Sequence, residues 1–155
     1  MARPVKNRPI IGWREWLELP ELGVRQIKVK VDTGARTSAL HVTDIKKIRV
    51  GRQEYVEFNI HPKQHSSKPV RRCRAHLIEE RRVTSSTGTS SVRPVIETPI
   101  RLGDVEWMIE ITLVNRDIMG FRMLLGRQAI RKGFLVHPGK SYLLGHSTGN
   151  KYFGA

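Results

Sequence analysis

Ile27, Val29 and Val31 alternate with Lys28 and Lys30 and lead into Asp32-Thr33-Gly34-Ala35. This alternation is that of a strand with one apolar and one basic face. The strand feeds an Asp into a tight loop, and a glycine two residues on lets another backbone approach closely. A carboxylate in such a place suits acid–base work on a water or a carbonyl. One form of that work uses two carboxylates close enough to share one proton, because like charges about 3 Å apart cannot both ionise. The chain holds four aspartates, Asp32, Asp44, Asp104 and Asp117, and only Asp32 precedes Thr-Gly. Two like loops can therefore meet only if a second copy of the chain supplies one of them across a two-fold axis. On their own, Asp, Thr and Gly also make an ordinary strand-ending turn.

His61, His65, Cys73 and His76 form a second grouping. Four such ligands would close a structural zinc site. The sequence has no His-Glu-x-x-His, and the spacing fits no common zinc template. Cys73 and His76, three apart on a strand, would point to opposite faces. No metal is expected. A Gly-x-x-x-x-Gly-Lys-Ser/Thr nucleotide loop is also missing, and no cofactor is expected.

Lys and Arg number 28 against 14 Asp and Glu, a formal charge of +14. Such a surplus attracts nucleic acid, acidic membranes or acidic peptides. Arg71, Arg72, Arg74, Arg81, Arg82 and Arg93 lie close together in sequence. Arginine bonds carboxylates bidentately, so an acidic substrate is one reading and a solvated basic face is the other. Trp13, Trp16 and Trp107 read as core or interface residues, since the aromatic pattern of single-strand binders is missing. Cys73 is the sole cysteine, which precludes an intrachain disulfide and fits a reducing compartment. The basic N-terminal residues precede no apolar run, and no stretch nears the roughly 20 apolar residues of a membrane span. The expectation is a cytoplasmic protein with no membrane partner.

The elements that must position these residues are mostly strands. Ile45, Ile48 and Val50 precede Gly51-Arg52, and Tyr55, Val56, Phe58 and Ile60 follow; Gly-X between two such runs suits a two-residue type II′ hairpin. Ile100 and Leu102, Gly103-Asp104, then Val105, Trp107, Ile109, Ile111 and Leu113 repeat that pattern. Leu124-Leu125-Gly126 is a short buried-looking run, and Arg127 to Lys132 could add a helical turn or two before Gly133. Phe134-Leu135-Val136 reads as a last strand, stopped at Pro138-Gly139. His61 to Pro69 and Thr84 to Ser91 read as less ordered. The expectation is one all-β domain over residues 1–155, with a core over about 11–142 and a loosely attached tail over 143–155.

The strings Val31 to His41 (VDTGARTSALH) and Val114 to Arg127 (VNRDIMGFRMLLGR) resemble the retropepsin-like aspartic proteases. They look closest to a bacterial branch labelled ATP-dependent zinc proteases. The resemblance covers roughly Ile11 to Tyr142. It implies a closed β-barrel with one short C-terminal helix, and an aspartic endopeptidase working as a homodimer with one Asp32 per subunit. Asp32, Thr33 and Gly34 would be catalytic, with Thr33 locking the two loops together, and Leu125, Gly126 and Arg127 would form the motif that packs them. A flap hairpin would have arms over His76 to Val83 and Val92 to Ile96 and a tip near Ser85 to Ser90. Val42 to Arg74 would be an insertion. Retroviral relatives carry an acidic residue after the loop, paired with the arginine of the Gly-Arg motif. Here Arg36 stands there, so Arg127 lacks that partner. Ala35, Arg36, Arg81, Arg82 and Arg93 would then bind an acidic peptide. Members of the branch are often found beside ligases that add glutamate tails, which makes such a tail a candidate substrate. A non-catalytic basic module for RNA, the ribosome or an acidic protein is the alternative.

Overall fold

A computed structural model describes residues 4, 7–84, 87–115, 120–131 and 133–154. The chain runs through β1 (Ile10–Leu19), a 3-10 turn (Pro20–Leu22), β2 (Val24–Asp32), β3 (Ser38–Val50), β4 (Gln53–Ile60), β5 (Arg71–Thr84), β6 (Ser90–Leu102), β7 (Val105–Val114), β8 (Met123–Gly126), the helical turn α1 (Arg127–Ile130) and β9 (Leu135–Ser141). The architecture is mostly β. The strands form one sheet in the order β4-β5-β6-β7-β3-β8-β2-β1-β9, with further pairings between β3 and β4 and between β1 and β6. The β1–β6 pairing that bends the sheet back on itself is the single register pair Glu18–Arg101. Among the described residues no helix is long and apolar enough to cross a membrane.

Both sequence hairpins form. Val50 faces Gln53 and Leu102 faces Val105 across two-residue turns. Gly51 and Gly103 take φ of 63° and 60°, the first turn position where a side chain would be strained. The inward-facing residues of the strands meet in one core that includes Ile27, Val29, Leu40, Phe58, Ile60, Ile96, Ile100, Ile111 and Leu125. The β5 and β6 arms pair from Leu77–Ile96 to Thr84–Ser90, where the flap was expected. Ser85 and Ser86 of its tip lie outside the described residues.

Two expectations near the C-terminus are corrected. β9 does not stop at Pro138-Gly139 but continues to Ser141. It is an edge strand beside β1, where a missing proline N–H breaks no ladder. The segment expected to hang loosely is tied to the body. The buried Glu15 carboxylate accepts backbone N–H bonds from Gly12 (2.7 Å) and Leu143 (2.8 Å) at Oε2, and from Leu144 (3.1 Å) and Gly145 (2.7 Å) at Oε1. Gln26, also buried, donates from Nε2 to the carbonyls of Gly149 (2.6 Å) and Lys151 (3.1 Å) and accepts at Oε1 from Ser147 and Thr148. Phe153 pairs with Val24.

Candidate active site

β8 lies between β2 and β3. It runs parallel to β2, with Asp32 opposite Gly126, and antiparallel to β3, with Ala39 opposite Leu124. Residues 33–37 must therefore cross the end of β8, where the chain turns into α1. The junction supplies donors to the carbonyls of residues 33 to 36. Arg127 Nη1 donates to the carbonyls of Thr33 (3.1 Å) and Gly34 (3.3 Å). The Arg127 and Gln128 N–H groups donate to Ala35 (2.8 Å) and Arg36 (3.1 Å). Gly126 N–H donates to Ser38 Oγ at 3.0 Å. Trp107 Nε1 anchors α1 from its other side through the Ala129 carbonyl at 3.0 Å.

This geometry explains the Leu-Gly-Arg motif. Leu125 is buried, Arg127 bridges two loop carbonyls, and Gly126 leaves room for the loop to pass. A Cβ at Gly126 would stand 2.5 Å from the Thr37 carbonyl carbon and oxygen. Gly126→Ala must push the loop away, an overpacking cost of about 1–3 kcal/mol. Thermal unfolding is expected to move down by roughly 2–12 °C.

Asp32 is half-buried, and Thr33 and Gly34 are exposed. The Gly34 N–H donates to Asp32 Oδ1 at 2.9 Å and orients the carboxylate from within its own loop. The other aspartates stand elsewhere. Asp44 accepts from Asn59 on β4, Asp104 sits in the β6–β7 turn, and Asp117 lies outside the described residues. Residues 10–146 match the family described as RimB-like, retropepsin-like aspartic endopeptidase RimB. The chain belongs to this family.

Longer proteins contain RimB-like sequence too. A protein of Shewanella pealeana named Probable alpha-L-glutamate ligase is 45% identical over 139 residues, which cover 90% of this chain and 30% of that protein. One of the same name from Parasynechococcus marenigrum is 42% identical over 136 residues, covering 88% and 29%. The chain thus spans about 30% of the length of these relatives. A crystal structure of a Legionella pneumophila protein of unknown function aligns with a TM-score of 0.71 at 26% identity, covering 87% of this chain and 97% of that one.

The structure separates the arginines that sequence proximity grouped. Arg36 and Arg81 do line one hollow of about 240 Å³ with Thr37, Glu110 and Gln128, beside the Asp32 loop. Arg81 arrives already bonded to Glu79 and to Glu110 (3.1 Å). These carboxylates, Glu79 foremost, raise its pKa above the usual arginine value. Arg82 is its strand neighbour and leaves the opposite face. Arg93 stands opposite Arg81 in register, with Nε donating to Ser91 Oγ, and lines a different hollow with Ile45 and Leu113. Arg71 reaches the Gly154 carbonyl and stacks on Phe153, Arg72 caps Asp44 and Asn59, and Arg74 pairs with Glu57 at 3.0 Å. Of the four arginines proposed for a substrate, Arg36 and Arg81 line one hollow beside the Asp32 loop, Arg93 stands across the β5–β6 ladder from Arg81, and Arg82 leaves the other face.

The possible zinc ligands do not converge. Cys73 is buried, its thiol directed at the Leu22 carbonyl, and burial pushes its pKa up despite Arg71 and Arg72 nearby. A raised thiol pKa disfavours the thiolate that metals bind. His76 faces outward to Gln53, while His61 is held between Thr43 and the Ser67 carbonyl. Among the described residues no three His, Cys, Asp or Glu side chains gather at a metal-binding distance, and these four residues do not fit zinc.

Proposed function

We propose that this chain is one half of an aspartic endopeptidase that cuts glutamate-rich chains, assembling as a homodimer with one Asp32 from each subunit. The observation that carries this reading is the Asp32-Thr33-Gly34 loop. It is braced from within by Arg127 and Gln128 and open outward. A second carboxylate is then supplied by the same loop of a partner chain across a two-fold axis. One aspartate acts as base on a water, and the other, protonated, polarises the scissile carbonyl. In this reading Thr33 locks the paired loops, and the β5–β6 hairpin is the candidate flap. The substrate class follows from charge. The chain carries +14 overall, Arg36 is exposed beside Asp32, and related sequence lies within proteins named as glutamate ligases. A ligase that builds glutamate chains and a peptidase that cuts them would act on one polymer.

The test is digestion of matched peptides rich in Glu, neutral residues or Lys. Glu-rich peptides are expected to be cut fastest, with kcat/KM falling as salt rises through screening. Specific activity should fall as the protein is diluted through its dimer dissociation constant. Arg36→Glu should lower kcat/KM for Glu-rich peptides roughly tenfold to a hundredfold, the worth of one charge-assisted pair at about 1.5–3 kcal/mol, and raise it for Lys-rich ones. A strict monomer with Asp32-dependent activity, or a preference for neutral or basic peptides, would sink the reading. In the latter case the basic surface is better explained by RNA, measured through the salt dependence of its affinity.

A further inference from the structure

Lys28, Lys30 and Asp32 occupy alternate positions of β2, while Val29 and Val31 between them are buried in the core. The three side chains therefore leave the same face of the strand, about 6.6–6.8 Å apart from one to the next. Across the β1–β2 ladder Arg14 stands opposite Lys30 and Trp16 opposite Lys28. Aromatic rings fix the cations of this row. Lys28 Nζ lies 5.2 Å from the centre of the Trp16 ring. Arg14 Cζ lies 4.6 Å from the Trp13 ring and 5.1 Å from the Tyr142 ring, and its Nε donates to Ser141 Oγ at 3.1 Å.

Four other cations, Lys47, Arg74, Arg81 and Arg101, each pair with a glutamate. Among the described residues neither Arg14 nor Lys28 has a carboxylate partner, and ring faces hold a cation without neutralising it. On this face the charges of Arg14 and Lys28 are therefore held in place by rings rather than by carboxylates.

We propose that Lys28, Lys30 and Arg14 form a rail of subsites along which a polycarboxylate chain is led to Asp32. This rests on the endopeptidase reading and adds where the part of the substrate beyond the scissile bond lies. An extended glutamate chain presents alternate carboxylates on one side about 6.8 Å apart, the spacing of alternate residues on a strand. It can therefore lie along β2 with successive carboxylates on Lys30 and Lys28. Single-stranded nucleic acid needs open aromatic faces for its bases, and here Arg14 and Lys28 already cover the rings.

The experiment measures binding of fluorescently labelled oligoglutamates of three to ten residues to the Asp32→Asn protein, which does not consume them. Affinity should climb with length and then level off. In the Lys28→Ala/Lys30→Ala variant the climb should flatten, with a loss of roughly 5- to 30-fold for the longest peptide. A charge-matched control, Arg49→Ala/Arg52→Ala on the exposed β3–β4 hairpin, should keep the length dependence, and melting curves verify that all variants are folded. Equal losses in the two double variants would show only a general field and overturn the proposal, as would an unchanged length dependence in the Lys variant. An oligoribonucleotide of equal charge binding more tightly, with the same lysine dependence, would replace the carboxylate chain with RNA. If the wild-type protein leaves oligoglutamate intact while the Lys28- and Lys30-dependent binding holds, the rail stands and the endopeptidase reading falls.

Discussion

Asp32→Asn should abolish hydrolysis of glutamate-rich peptides while the protein keeps its fold. The substitution changes one atom. The amide oxygen can still accept the Gly34 N–H bond that Asp32 Oδ1 accepts at 2.9 Å, and the carbonyls of residues 33 to 36 keep their donors on Arg127 and Gln128. What disappears is the group that can share, give and take a proton. Loss of positioned acid–base catalysis alone lowers rates roughly 10²- to 10⁴-fold. In a symmetric dimer each substitution removes both carboxylates, so the full loss should lie at or beyond the upper figure. Mixed dimers of wild-type and variant chains should be nearly as inactive as the variant, because one carboxylate cannot make the shared-proton pair. Chelators should leave the wild-type rate unchanged. A rate lost in chelator and restored by zinc would overturn the carboxylate mechanism, and residual activity near wild type in Asp32→Asn would remove Asp32 from the chemistry altogether.

Glu15→Gln should destabilise the protein severely although it alters no apolar contact. Both carboxylate oxygens of Glu15 accept pairs of backbone N–H bonds, from Gly12 and Leu143 on one and from Leu144 and Gly145 on the other. Glutamine can offer one oxygen. Whichever way the amide turns, its NH2 faces one buried and one partly buried N–H donor that then have no acceptor on Glu15. Each orphaned donor costs about 1–3 kcal/mol, so the total is roughly 2–6 kcal/mol. For a chain of this size that lowers the melting temperature by roughly 4–24 °C. Limited proteolysis adds a local readout, since cleavage between Ser141 and Gly145 should precede global unfolding. A melting temperature within about 2 °C of wild type would mean that the four bonds contribute little to holding the segment.

Glu15 also marks where sequence reading stops. β1 is absent from the strands read by alternation, because its inward positions run Ile11, Glu15, Leu17 and Leu19, and a buried carboxylate breaks the apolar pattern. The two glycine hairpins were legible because turn chemistry and alternation agree there. The β5–β6 arms were expected only through the family resemblance. The tail was misread because Gly and Ser composition says nothing of the acceptors on Glu15 and Gln26 that order it. The site was legible in part. Asp32 and the Leu-Gly-Arg motif stood out as strings, yet the placement of β8 between β2 and β3 is a fact of topology that spacing does not encode. Proximity in sequence misgrouped the arginines. Neighbours on a strand face opposite ways, so Arg81 and Arg82 part company, while Lys28 and Lys30, two apart and noted only as a basic face, share the side of Asp32.

The interleaving of β8 between the strands that flank the Asp32 loop has a consequence for biosynthesis. Asp32 emerges from the ribosome early, but the groups that shape its loop, Gly126 to Gln128, are 94 to 96 positions later. At about 5–20 residues per second that gap lasts roughly 5–20 s, during which β2 and β3 have no partner between them. A nascent chain thus carries Asp32 on an unbraced loop until β8 and α1 have been made. A translation arrest between β3 and β8 yields a fragment that carries the aspartate but lacks the groups that brace its loop.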